Sequence, residues 1–202
     1  MKNKVTSMKD PKSQLRDIIV PYMRSRQLIM SGRERPEFGQ KPREIIANWL
    51  ICAVANYQAG KNEWTFSNDP EGGDGVIVNR STGDGWRTEH VIALRPEHLN
   101  DDSAATRLVL AVEHKNKRGD SYAKGSDLVI FAEGLGSTFN PNEVSQQIRG
   151  QHAFESVWAV GLQEAEQNEH KYWVTCFDER PCPCLMVTVN LERAEWSVEQ
   201  IL

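Results

Sequence analysis

Acidic residues that could hold a metal ion are spaced along the first half of this chain. Asp74 follows a pair of glycines and leads into a short apolar run, and Glu89 lies within the next apolar segment. Glu44 lies farther back, in the first turn of a strong helical pattern. If the segments of Asp74 and Glu89 pair as a hairpin, both carboxylates can converge at one end of a sheet. Paired carboxylates of this kind hold hard divalent cations such as Mg²⁺ or Mn²⁺.

The position of Glu89 on its predicted strand also favours a bound cation. Side chains alternate along a strand, so Glu89 shares a face with Arg87 and Val91, while Thr88 and His90 take the other face. Burying a carboxylate on a strand rich in apolar residues is costly unless something pairs it. A divalent metal ion would compensate this charge.

The elements that must position these residues follow from the spacing of apolar side chains. From Ser13 onward, the spacing predicts a helix that kinks or restarts at Pro21. A charged loop rich in glycine and proline at 31–40 is a candidate hinge. Pro42 suits the first turn of the clearest helix, which ends at Gly60. We therefore predict an N-terminal helical segment at 1–30 and one α/β domain at 31–202.

Strands are predicted where short runs rich in β-formers are bounded by turn residues, and Asp84-Gly85 is a strong hairpin signal. The predicted strands are 64–66, 76–80, 87–94, 127–132, 157–162, 172–177 and 185–191. A further helix is predicted at 141–154. Because helices come first and are followed by a mixed succession of strands and helices, we expect an α/β fold with a central mixed β-sheet flanked by helices.

The segment 102–118 allows two interpretations. As a helix, it places Lys115 on the same apolar stripe as Leu108, pointing toward the body of the domain. As a strand, 108–117 would place Glu113 and Lys115 on one face. The long polar ends of the segment favour the helix.

The order of these elements resembles the PD-(D/E)xK nuclease superfamily, which has the restriction-endonuclease-like fold. The resemblance rests on a helix with Glu44, a strand headed by Asp74 and a strand with Glu89, and it covers roughly residues 42–132. It implies that Asp74 and Glu89 bind Mg²⁺ (or Mn²⁺), that His90 can add its backbone carbonyl, and that Glu44 assists. It further implies hydrolysis of phosphodiester bonds in nucleic acid, with DNA the expected partner and a homodimer a possible assembly.

The chain departs from the superfamily pattern at Val91, which stands where the pattern has a lysine, two residues after Glu89. Related families carry this lysine on a neighbouring helix, and Lys115 is the candidate. In the alternative strand interpretation, Glu113 replaces Glu89 as the second acid, and Lys115 again serves as the cation. Without a placed lysine, the chain would be a catalytically inactive nucleic-acid-binding or protein-interaction module on the same fold.

Two further groups of polar residues are candidates for contact with phosphates. One is the basic concentration around Tyr122, and the other is the predicted helix that follows the metal-binding strands. The candidate contact residues are Lys117, Arg118, Lys124, Gln147 and Arg149. Each group also suits an ordinary solvated surface.

Composition restricts the class of protein further. A net charge of −4 over 202 residues argues against a general nucleic-acid coating protein, although it leaves room for a local basic cleft. No apolar run is long enough to span a bilayer, and the basic N-terminus lacks the apolar region of a secretory signal. The four cysteines are too few and too clustered for a disulfide scaffold. We therefore expect a cytoplasmic protein without a membrane partner.

Overall fold

The computed structural model describes residues 10–25, 39–69, 73–93, 103–132, 135 and 138–202. Within these residues the chain is an α/β protein with one eight-stranded mixed sheet, strongly curled into a half-barrel, and five helices. The prediction of a mixed sheet with helices and an N-terminal helical segment is confirmed at this level. No helix in the described ranges has both the length and the apolar character needed to cross a membrane.

The strands occupy the sheet in the order in which they occur in the chain. They are β1 (Trp64–Ser67), β2 (Val76–Asn79), β3 (Gly85–Ile92), β4 (Ser126–Phe131), β5 (Val157–Ala165), β6 (Glu169–Cys176), β7 (Cys184–Asn190) and β8 (Glu195–Gln200). Strand β4 runs parallel to both β3 and β5, and the other neighbouring strands are antiparallel.

The helices lie before the sheet, within the β3–β4 crossover and before β5. Helix α1 comprises Pro11–Gln14, a π-helical segment Leu15–Ile19 and Val20–Met23, and α2 is Pro42–Ala59. The others are α3 (Ala104–Asn116), α4 (Asp120–Ala123) and α5 (Pro141–Ile148). Helix α2 starts at the predicted proline and ends at Gly60, whose φ of 63° is left-handed, so this prediction is confirmed.

Both faces of the central strand β4 are covered, which explains why all of its residues are buried. Val129 and Phe131 belong to the core formed with α1 and α2, where Trp49 is fully buried. Leu128 and Ile130 belong to the opposite core, formed with α3 and α5. The N-terminal helix is part of the first core, and the indole of Trp49 donates a hydrogen bond to the carbonyl of Pro11 at 3.1 Å.

The segment after β3 settles the choice between helix and strand at 108–117. It is helical, with Ser103 as the N-cap, and the strand alternative is wrong. Burial follows the helical period, since Leu108 and Lys115 are buried while Glu113 is exposed. Glu113 and Lys115 therefore do not share a face, and the acid–x–lysine register built on Glu113 fails.

Three other predictions of local structure differ from the observed elements. The helix predicted at 141–154 ends at Ile148, because Arg149 leaves the helical region and Gly150 takes a left-handed φ of 69°. Strand β8 was not predicted, since most of its residues are polar and exposed in keeping with a sheet edge. Helix α4 was also not predicted, because a single turn is too short to show a period. The predicted hinge at 31–40 lies largely outside the described residues.

Candidate functional site

Asp74 and the middle of β3 lie side by side at one end of the β2–β3 hairpin. Strand β2 pairs with β3 from Val76 onward, and the N–H of Thr88 donates to the carbonyl of Gly75 at 2.8 Å, which extends the ladder past the end of β2. One further step places Asp74 beside Glu89 and His90. The N–H of His90 donates to Asp74 Oδ2 at 2.8 Å, and this hydrogen bond fixes the orientation of the carboxylate.

The backbone around Asp74 is held from helix α2 by Asn48, one helical turn after Glu44. The Asn48 amide group donates to the carbonyl of Asp74 at 3.4 Å, and its oxygen lies 3.0 Å from Nε2 of His90. Gly75 lies between these groups with a φ of 147°, and a side chain there would run into the Asn48 amide. Glycine is therefore required at this position both for conformation and for space.

His90 is buried beneath the site as a neutral imidazole. Burial lowers its pKa to about 4, against the opposing effect of the Asp74 carboxylate. Because Asn48 presents its oxygen to Nε2, this nitrogen carries the proton, and Nδ1 is left as a buried acceptor with no hydrogen-bond partner in the described structure. The imidazole therefore supports the strand rather than offering a charge to the cleft.

Glu89 is paired with Lys115, although the two residues lie on β3 and α3. Lys115 Nζ lies 3.3 Å from Glu89 Oε2, and both side chains are largely buried, with 8% and 13% of their surfaces exposed. The hydroxyl of Tyr122 on α4 donates to the same Glu89 oxygen and accepts from Lys115 Nζ at 2.9 Å. The pKa of Tyr122 is raised, first by burial and then by its hydrogen bond to Glu89.

Glu44 lies in the first turn of α2 and faces the same site. Its carboxylate accepts from the N–H of Lys41 at 2.7 Å and from Lys41 Nζ at 3.0 Å, which closes a capping box. Burial raises the pKa of Glu44, and the negative charge of Asp74 adds to this effect. Glu44 therefore combines a structural role at the helix start with a place beside the first acid.

One cleft of about 770 Å³ is lined by Glu44, Asp74, Glu89, His90, Lys115 and Tyr122. Among the residues that the structure describes, six cationic and three acidic side chains line it, in a protein whose net charge is −4. The cations are Lys41, Arg43, Arg107, Lys115, Lys117 and Arg118, and the acids are Glu44, Asp74 and Glu89. The cleft thus combines a small acidic centre with a basic surround, an arrangement suited to a metal ion bound beside a polyanion.

The structure brings together some of the residues predicted to contact phosphate and not others. Lys117 and Arg118 line the cleft, whereas Lys124, Gln147 and Arg149 are exposed and do not line it. Residues that sequence reasoning did not select include Lys41, Arg43, Asn48 and Arg107. Arg107 could have been found, since it lies eight residues before Lys115 and so on the same face of α3. Asn48 could also have been found, since it lies four residues after Glu44 on the same face of α2, whereas no pattern marks Lys41 and Arg43 beside Glu44.

The donor set of the two acids fits a hard divalent cation. Asp74 Oδ1 and Glu89 Oε1 accept no hydrogen bond within the described part of the chain, so each carboxylate has an oxygen to offer. No group of three or more His, Cys, Asp or Glu side chains among the described residues is arranged to hold a metal ion. Mg²⁺ commonly uses one or two carboxylates and completes its shell with water and substrate phosphate.

Comparisons with known proteins assign no family to this chain. No protein-family profile matches it, and no curated protein matches it. Among solved structures, the chain is similar to the central domain of yeast acetyl-CoA carboxylase, with 15% sequence identity and a TM-score of 0.32 over 70% of this chain. It spans 23% of that longer chain. A TM-score this low carries no argument about fold or function.

Proposed function

We propose that this protein is a metal-dependent nuclease of the restriction-endonuclease-like class, which hydrolyses phosphodiester bonds in nucleic acid, with DNA as the substrate. The observation that carries the proposal is that Asp74, Glu89 and Lys115 meet in one cleft although they come from three separate elements. Two metal-binding carboxylates and a lysine that act on the same phosphate must lie close together.

The order of elements supports the assignment to this class. Helix α2 carries Glu44, Asp74 leads into β2, Glu89 lies on β3, and α3 then leads into the parallel strand β4. This is the succession on which the resemblance to the PD-(D/E)xK superfamily rests. In this proposal the lysine comes from α3, since Lys115 Nζ lies 3.3 Å from Glu89 while Val91 carries no cation.

The chemistry of the cleft follows from the charges of its residues. Asp74 and Glu89 would hold Mg²⁺ or Mn²⁺, with the backbone carbonyl of His90 as a further ligand, and the bound ion would polarise the phosphodiester and lower the pKa of water. Lys115 Nζ donates to Glu89 and Tyr122 and retains one N–H, which can orient a water molecule or contact a phosphate oxygen. Glu44 stays beside Asp74 and keeps the start of α2 in place.

The cationic side chains around the cleft favour a nucleic acid as the substrate. Lys117 and Arg118 are exposed at its edge, and Arg43 and Arg107 line it farther along. Cations spread along a cleft contact successive phosphates, which gives affinity without reading the base sequence. The overall negative charge makes this local concentration of cations stand out.

Cleavage assays with matched variants test the proposal. Supercoiled plasmid, linear DNA and a single-stranded RNA are incubated with Mg²⁺ or Mn²⁺ and resolved on gels. We expect Asp74→Asn, Glu89→Gln and Lys115→Met each to lower cleavage by about 100-fold or more, because each removes a group acting on the reacting phosphate. Glu113→Gln and Lys124→Met make the same chemical changes at exposed sites and should retain wild-type cleavage.

The thermal unfolding midpoint of each variant shows whether a loss of cleavage comes from a missing catalytic group or from an unfolded protein. Equal cleavage by wild type, Asp74→Asn and Glu89→Gln, all folded, would show that the nuclease proposal is wrong.

A binding module without catalysis is the second candidate, and Val91 at the lysine position favours it. In that case Lys115 would serve to neutralise Glu89, which it contacts at 3.3 Å. The two candidates differ in outcome, since a binding module would hold DNA in a cleft-dependent manner with no cleavage under any metal.

A further inference from the structure

We propose that Tyr122 is a positioning residue of this site, whose hydroxyl fixes Lys115 relative to Glu89. The inference rests on the proposed function and adds to it a residue that is neither acid nor cation. Tyr122 lines the cleft with both partners and lies on α4, the single helical turn that follows α3.

A device of this kind is needed because the lysine and the acid are on different elements. In the superfamily pattern the two residues follow each other on one strand, so the backbone fixes their separation. Here Glu89 and Lys115 are 26 residues apart, and a lysine has a long side chain with many accessible rotamers. A third group that contacts both can replace the geometric restraint of the strand.

The hydroxyl of Tyr122 has three contacts, and these use its full hydrogen-bonding capacity. It donates to Glu89 Oε2, accepts from Lys115 Nζ at 2.9 Å and accepts from Arg118 Nη1 at 3.2 Å. A phenol has one proton to donate and two lone pairs to accept with, so each is used. Because the hydroxyl has only one proton, it donates to Glu89 alone, and its lone pairs are left to accept from Lys115 and Arg118. The carboxylate and the ammonium group are therefore held at defined positions around the phenol oxygen.

The ring of Tyr122 is itself held in place. It packs edge-on against Phe154 with ring centroids 6.3 Å apart, and Arg118 and Lys115 lie over it at 5.0 and 5.5 Å from its centroid. These contacts involve the ring and not the hydroxyl. Removal of the hydroxyl alone should therefore leave the fold intact. Lys115 would lose its hydrogen bond to Tyr122 and keep its contact with Glu89.

The kinetic test is Tyr122→Phe, with Tyr57→Phe as the matched control on the exposed end of α2. We expect kcat for DNA cleavage to fall about 10- to 100-fold in Tyr122→Phe, since a displaced catalytic group costs rate more than binding. KM for DNA and the affinity for Mn²⁺, measured by calorimetry, should change by less than about threefold. In the Lys115→Met background, Tyr122→Phe should lower kcat no further, because its effect passes through the lysine.

A spectroscopic readout tests the contact without requiring activity. The four tyrosines are labelled with ¹³C at Cζ, and the Tyr122 signal is assigned by its loss in Tyr122→Phe. This signal should shift in Lys115→Met and in Glu89→Gln and stay in place in Glu113→Gln.

The outcomes separate this inference from the proposed function. An active wild type with an equally active Tyr122→Phe overturns the role of Tyr122 and leaves the nuclease proposal standing. A Tyr122 chemical shift that is unchanged in both Lys115→Met and Glu89→Gln overturns the role of Tyr122 as well. A wild type that cleaves no nucleic acid with any metal overturns both.

Discussion

Val91 and Lys115 lie at the centre of the proposed catalytic site, where the resemblance leads us to expect one cation beside Glu89. Val91 shares the strand face of Glu89 and lines the cleft, yet it carries no cation. An ammonium group comes instead from α3, where Lys115 Nζ contacts the Glu89 carboxylate at 3.3 Å. In the proposed site the chemistry would depend on where Nζ lies, so a lysine at either Cα position should be able to supply it.

Transfer of the lysine back to the strand tests this interpretation. Lys115→Met should abolish cleavage, and adding Val91→Lys should restore it at least about tenfold over the single variant, because the new ammonium group would lie beside Glu89. Glu113→Lys in the Lys115→Met background adds the same charge at an exposed site and should restore nothing. Equal activity of both double variants would show that the position of the lysine is unimportant.

Asp127 is a second buried acid, located at the start of β4 with 6% of its surface exposed. Burial raises its pKa to about 6, although the indole of Trp158 donates to it at 3.2 Å and opposes the shift. The folded state therefore binds the proton more tightly than the unfolded state does. Its stabilising contribution is complete below about pH 4 and is lost as the pH rises through about 6.

Asp127→Asn should remove this pH dependence, because an amide stays neutral and keeps an acceptor for Trp158. At pH 8 we expect the variant to be more stable than wild type by on the order of 2 kcal/mol, and at pH 3.5 the two should be nearly equal. Urea unfolding at both pH values measures the difference. Asp84→Asn, at an exposed turn position, is the control, and a constant difference between wild type and Asp127→Asn would contradict the argument.

At the scale of elements, the sequence predicted what local pattern determines. Helix α2 shows a long apolar period with proline and glycine at its ends, and Asp84-Gly85 marks the β2–β3 turn, so both were found. The hairpin also implied the adjacency of Asp74 and Glu89, since pairing of two strands fixes which residues are neighbours. The helical period of α3 in turn directed Lys115 inward.

The sequence did not reveal the contacts that depend on how helices and strands pack on each other. Asn48 reaches Asp74 and His90 because α2 lies against the start of β2, and Tyr122 reaches Glu89 because α4 follows α3 by a short turn. These distances are properties of tertiary packing and have no period in the chain. Strand β8 was missed for a related reason, because an edge strand can be largely polar.

Gly75 lies between β2 and the Asn48 side chain of α2. Its replacement should disturb both the start of the strand and the position of Asn48. Gly75→Ala combines an unfavourable φ with a collision against the Asn48 amide, so we expect a loss of about 2 to 3 kcal/mol in the free energy of unfolding. Gly83→Ala is the matched control, since its φ of 79° is also positive but nothing lies within 4 Å of the added carbon. It should cost about 1 kcal/mol. Equal losses would show that the space beside Asn48 is not needed.

At the scale of the whole molecule, the distribution of charge matters more than its sum. The chain is acidic overall, yet among the described residues that line the cleft cations outnumber acids two to one. A polyanion should therefore bind there and be repelled elsewhere, and its affinity should fall steeply with salt.

Salt titrations of DNA affinity measure this distribution. With Ca²⁺ in place of Mg²⁺, we expect Arg43→Ala and Lys117→Ala each to reduce the slope of log affinity against log salt by about one phosphate contact. Arg193→Ala removes an exposed charge in the β7–β8 turn and should leave the slope unchanged. A slope equally sensitive to all three would mean that DNA does not bind in the cleft.

The sequential order of the strands also bears on how the protein is made. Because β1 to β8 take consecutive places, each strand leaving the ribosome meets a partner that has already emerged, and none must be inserted between two earlier neighbours. Lys115 and Tyr122 precede β4, so the residues of the cleft have all been synthesised before the last four strands exist. We expect the residues of the cleft to be available for folding first and both cores to be completed afterwards, since each core includes residues of β5.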